Sequence, residues 1–140
     1  MKNNRTVLNR TQKIEQLHWH IQHWKSDLQF MEDETDFVER LLKAEIFETN
    51  TPNLFERLQE YLTRLDNFKA RKTKLRQLIS KHENLLGTVM ESEDDRVVAS
   101  FYLKHDDLEL EVVNCTDDFK SLKAEIFNFV GGTLKKGKRI

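Results

Sequence analysis

Apolar side chains recur at alternating steps of three and four residues in three long blocks of this chain, which leaves few folds open to it. In the first block Ile14, Leu17, Ile21, Trp24, Leu28, Met31, Val38 and Leu42 keep the period, and Thr35 fills its one polar slot. In the second the positions are Leu58, Tyr61, Leu65, Phe68, Lys72, Leu75, Ile79, His82, Leu86 and Val89, with Leu54, Leu62, Leu78 and Leu85 widening the stripe. The third is the most regular: Val98, Phe101, His105, Leu108, Val112, Cys115, Phe119, Leu122, Ile126 and Phe129. Residues spaced in this way share one face of an α-helix, so each block predicts a helix with a single buried seam.

The breaks between blocks are equally legible. Thr49-Asn50-Thr51-Pro52-Asn53 stops one helix and starts the next, with Thr51 as N-cap before a proline suited to the first turn. Ser92-Glu93-Asp94-Asp95 reads as a capping box with Asp in place of Glu, and Asn9-x-x-Gln12 as an opening cap. Gly131-Gly132 supplies a C-cap, followed by the basic stretch Leu134 to Ile140. The predicted helices span about 9–48, 52–91 and 93–130, within a single helical-bundle domain over 1–140 whose residues 131–140 form a flexible basic tail. Val97 to Val113 holds enough β-branched residues to read locally as strand, but the seam spacing continues through it.

Short connections make neighbouring helices antiparallel, so the expected fold class is all-α: three long antiparallel helices in an up-down-up bundle. It resembles spectrin-type three-helix bundles in general shape only, without any family signature. Composition agrees, with one Pro, four Gly and 34% charged residues. Nine Phe and two Trp supply the apolar area that a disordered chain of similar charge lacks. The net charge of −1 sets up no field to draw nucleic acid or an anionic membrane. Cys115 is alone and cannot form an internal disulfide, no signal-peptide pattern opens the sequence, and no apolar run is long enough to span a membrane, so the expected compartment is the cytoplasm.

Three groups of residues are candidates for function. If Glu45 lies near Leu54 and Val89 near Val98, antiparallel pairing sets His82 opposite His105 with His18 in the same layer. Three imidazoles in one layer suggest a metal site, with Glu83 or Asp106 as a further ligand. The commoner use of such a layer is to fix helix register. The paired Glu-x-x-His motifs of ferritin-like bundles are absent, since Glu15-x-x-His18 has no counterpart. His18, His20 and His23 point in different directions on a helix and do not converge. Lys72 is expected to snorkel from its seam position, and Cys115 to be a small core hydrophobe rather than a nucleophile.

Helix 1 carries a second apolar stripe, Trp19, His23, Phe30, Phe37 and Leu41, on the side away from its seam. Such a surplus marks an association surface, most simply a homodimer. Finally, Lys69, Arg71, Lys72, Lys74 and Arg76 form a basic block that, with the tail, could contact phosphates. The same alignment sets that block opposite Asp27 and Asp117-Asp118, which would satisfy it within the bundle. The expectation is therefore a non-enzymatic helical module without cofactor that self-associates or docks a partner helix. Metal binding through His18, His82 and His105, and nucleic-acid binding through 69–76 and the tail, are the alternatives.

Overall fold

A computed structural model describes residues 2–135, with side chains from residue 9 onward. Its three helices, α1 (Lys2–Lys43), α2 (Leu54–Met90) and α3 (Asp95–Thr133), pack against one another in an up-down-up bundle. Among the described residues no helix is long and apolar enough to cross a membrane.

The seams close on one another as their spacing requires. Ile21, Leu28, Val38, Leu65, Ile79, Val112, Leu122 and Ile126 are almost completely enclosed, forming the centre of one continuous core. Each such side chain contributes about 1.5–3 kcal/mol by leaving water, and together they outweigh the helix propensities. Thr35 is also buried, its hydroxyl donating to the Met31 carbonyl one turn back at 2.6 Å. Ile14, Leu58, Phe68 and Val98 are only partly covered, although the period puts them on the seams.

The helix ends depart from the sequence expectation in five places. α1 begins at Lys2, so Asn9 lies inside a helix rather than capping one; residues 9–13 are exposed and Leu17 is the first buried residue. α1 ends at Lys43 instead of about 48, and residues 44–53 form a folded linker. There Phe47 turns into the core against Phe129, at 6.2 Å between centroids. Glu48 N donates to the Thr133 carbonyl and Lys135 N to the Ile46 carbonyl, both at 2.8 Å, fastening the linker to the end of α3. Thr51 is not the N-cap of α2: its hydroxyl donates to the Glu48 carbonyl, while Asn53 holds the cap position. Asn53 adopts φ 57° after Pro52, which suits a tight turn closed by Leu54 N to the Thr51 carbonyl.

At the other junction Asp94, not Ser92, caps α3, accepting from Arg96 N at 2.9 Å; the Ser92 hydroxyl accepts from Asp94 N and shapes the preceding turn. Gly131 and Gly132 do not act as a C-cap. They are helical, neither has positive φ, and α3 ends at Thr133. Residues 97–113 are helical throughout. Residues 136–140 of the expected tail lie outside the described residues.

Candidate protein-docking face

Ion pairs distinguish the grooves of the bundle. Between α1 and α2, Lys25 meets Glu83 at 2.5 Å, Lys69 meets Glu39, and Glu32 receives both Lys72 at 2.8 Å and Arg76 at 3.2 Å. Between α2 and α3, Arg71 meets Asp118 at 2.9 Å and Arg64 meets Glu125 at 2.8 Å. Lysine and arginine hydrogen bonds hold the Glu32 and Glu39 carboxyls below the ordinary glutamate range. The basic block is thus largely engaged, but with other partners on α1 than expected. Among the described residues Asp27 takes none of it; the α1 carboxylates that do are Glu32 and Glu39.

The groove between α1 and α3 is different. One ion pair crosses it among the described residues, Lys123 to Glu34 at 2.5 Å. Around that pair stand Phe30, 64% exposed, Phe37, 58%, and Phe127 of α3, 43%. Two adjoining hollows share Glu34 and Lys123. Phe30, Phe119 and Lys120 help to line one, and Phe37, Asp33 and Phe127 the other. Trp19 continues the row towards the N-terminus at 59% exposure, with His23 set edge-on against its indole at 4.0 Å. Leu41 departs from the expected stripe, since it is half-buried and packs on the core. Phe127 was not singled out in the sequence because it lies one place beyond the seam residue Ile126. Leu103 and Leu110 are exposed on α3 as well, but they are aliphatic, and Leu110 lies between Glu109 and Glu111.

The histidine layer forms with one substitution of membership. His82 Nε2 and His105 Nδ1 lie 2.9 Å apart, wholly buried, as the α2–α3 pairing predicts. The third ring is His20, whose Nδ1 lies 3.0 Å from His105 Nε2. His18 stays at the surface, 57% exposed, its Nε2 at 3.9 Å from a Glu83 carboxylate oxygen. His18 was expected in this layer and His20 was not; α1 instead presents His20 and Trp24 there. Phe101 stacks on His82 at 4.0 Å and Trp24 lies 4.5 Å from His105.

His82 Nδ1 is the one buried side-chain nitrogen or oxygen without a hydrogen-bond partner among the described residues. A buried N–H left without an acceptor is the costlier of its two states, so this atom is the bare nitrogen and Nε2 carries the proton. His82 Nε2–H then donates to His105 Nδ1, and His105 Nε2–H donates to His20 Nδ1. Burial pushes the pKa of both buried rings down to about 4, which keeps them neutral. This is a linear chain of rings, each nitrogen of His105 engaged by a different neighbour. Among the described residues no three His, Cys, Asp or Glu side chains are grouped to hold a metal ion. Cys115 is buried at 4.0 Å from the Met31 sulfur, and burial raises its thiol pKa.

No family model, curated protein or solved structure matches this chain.

Proposed function

We propose that this protein is a non-enzymatic helical module that self-associates through the face between α1 and α3 in the cytoplasm. One observation carries this reading: among the described residues, large aromatic rings line the groove that is crossed by a single ion pair, while four lysine or arginine ion pairs bridge the α1–α2 groove. Exposed aromatics next to hollows are the usual composition of an association surface, whereas scattered aliphatics are ordinary. Trp19, Phe30, Phe37 and Phe127 together present on the order of 400 Å² of ring surface. Covering that area on two protomers contributes about 20 kcal/mol gross, which exceeds an association cost of about 4–15 kcal/mol.

The basic block supports this reading over phosphate binding, because Lys69, Arg71, Lys72 and Arg76 already hold carboxylates. The lone cysteine, Cys115, is free and buried, in keeping with a reducing compartment.

The test is molar mass by light scattering over a hundredfold range of concentration. A dimer is expected for the natural sequence, and a monomer for Phe30→Ser combined with Phe37→Ser. A monomer at every concentration for the natural sequence, or a dimer untouched by the double substitution, removes the reading.

A further inference from the structure

The face that carries the proposed self-association also has a polarity, and it specifies how two copies meet. On its α1 side stand Asp27, Asp33 and Glu34; on its α3 side stand Lys120 and Lys123. Glu34 and Lys123 neutralise one another within the chain. At the two hollows that leaves Asp27 and Asp33 on one lip and Lys120 on the other. All three are exposed, and among the described residues Asp33 accepts a hydrogen bond from the Gln29 amide, at 3.1 Å.

Two rods with such a face can pair about a two-fold axis in two ways. An axis parallel to the rods sets α1 of each copy against α3 of the other, both copies pointing the same way. An axis across the rods sets α1 against α1 and α3 against α3, with the copies reversed. The second brings acidic lip to acidic lip and lysine to lysine, and the first brings each lip to its opposite. We propose that the occupant of this face is a second copy of the chain docked in parallel, with α1 against the partner's α3 and Asp33 facing Lys120 of the partner subunit. The proposal rests on self-association through this face.

The contacts within the chain predict that pairing. α1 and α3 run parallel, and residues at equal height differ in number by 84 to 89, as His20 with His105, Met31 with Cys115 and Glu34 with Lys123 demonstrate. A parallel two-fold brings equal heights together. Asp33 therefore meets Lys120 of the partner subunit, at a difference of 87, and Phe37 meets the step between the partner's Lys123 and the partner's Phe127. Trp19 to Phe37 extends about 27 Å along α1. Two helices wide, that footprint is of the order of the 800 Å² per partner that stable dimers bury.

Sedimentation equilibrium of the full chain with two charge reversals tests the orientation. Asp33→Lys alone and Lys120→Asp alone each set like charges across the interface twice, raising the dissociation constant about tenfold at low salt. The double variant restores it to within about threefold of the natural value, and added salt narrows all of these differences. Circular dichroism on each variant checks that it is folded, as expected for exposed positions. Asp33→Lys tightening the dimer overturns the proposal in favour of the reversed orientation, because it relieves acid against acid. Single reversals without effect, or a double variant without rescue, also overturn it while leaving self-association in place. A natural sequence that never dimerises overturns the reading on which the proposal stands.

Discussion

The imidazoles of His82 and His105 lie sealed between Trp24 and Phe101, while the rings of Phe30 and Phe37 stand largely in water on the same bundle. The histidines occupy seam positions and the phenylalanines do not. Position in the three-four period therefore decided burial, and side-chain chemistry did not. Each region has its own consequence. A buried imidazole pair must be neutral and hydrogen-bonded, so it makes stability sensitive to protons and to the loss of either partner. An exposed aromatic row contributes little to the isolated fold, so its effect falls on association.

Acid separates the two regions most strongly. The folded pKa of each buried ring is about 4, against 6.5 when unfolded. Desolvation is the main cause; Lys104 adds to it at His82, and His82 and His20 add to it at His105, opposed by Asp106. Between these values the unfolded chain binds more protons than the folded one, so stability is complete above pH 6.5 and is lost as pH falls from 6.5 to 4. Because His82 itself contributes to the His105 shift, the loss over that interval, a few kcal/mol, belongs to the pair. Urea denaturation at pH 7 and pH 5 should show much of that loss, and it should largely disappear in the His82→Leu/His105→Leu double variant. An equal loss in that variant would break the assignment to these rings. Glu32, held low by Lys72 and Arg76, and Glu39, held low by Lys69 and Lys43, contribute stability above the ordinary glutamate pKa that is lost as pH falls further.

Single substitutions in the layer should be worse than the double. His105→Leu leaves the His82 Nε2–H buried without its acceptor, costing about 1–3 kcal/mol. Removing both rings leaves an apolar layer, and replacing a buried polar pair by hydrophobes of similar size is commonly neutral or stabilising. The half-buried His20 can then turn to water. Denaturation at pH 7 should rank the double variant at or above the natural protein and His105→Leu below both, a non-additivity expected of residues in contact. Additive losses would mean that the layer contributes net stability.

Much of this arrangement was legible in the sequence. Buried seam residues such as Leu17, Leu28, Leu75, Leu108 and Phe119 are those the period selects, and the His82–His105 pair follows from the short 91–94 junction. The α1–α2 alignment was not legible. It depends on a ten-residue linker that Phe47 draws into the core, and no local propensity announces that docking. His20 was passed over because His18, His20 and His23 do not converge on the helix, yet its ring alone reaches His105. The helix runs through Gly131 and Gly132 although each costs about 1 kcal/mol relative to Ala. The Thr133 hydroxyl bonds the Phe129 carbonyl at 2.8 Å and the linker fastens the same end. The row Trp19, Phe30 and Phe37 could be read from α1 alone, whereas Phe127 joins it only once α3 lies alongside.

The smallest expected effect is the sharpest test of the contrast. Phe30 and Phe37 are more than half exposed, so serine at both positions removes little buried area from a single chain. Surface substitutions of this kind change stability by within about 0.5 kcal/mol. At concentrations where the protein is monomeric, the double variant should unfold within about 0.5 kcal/mol of the natural sequence at pH 7. At concentrations where the natural protein dimerises, its own midpoint should rise while that of the variant stays fixed, since association stabilises only the form that binds. A large loss in the monomer would mean that these rings are covered within the chain, and the distinction between seam and face would fail on α1.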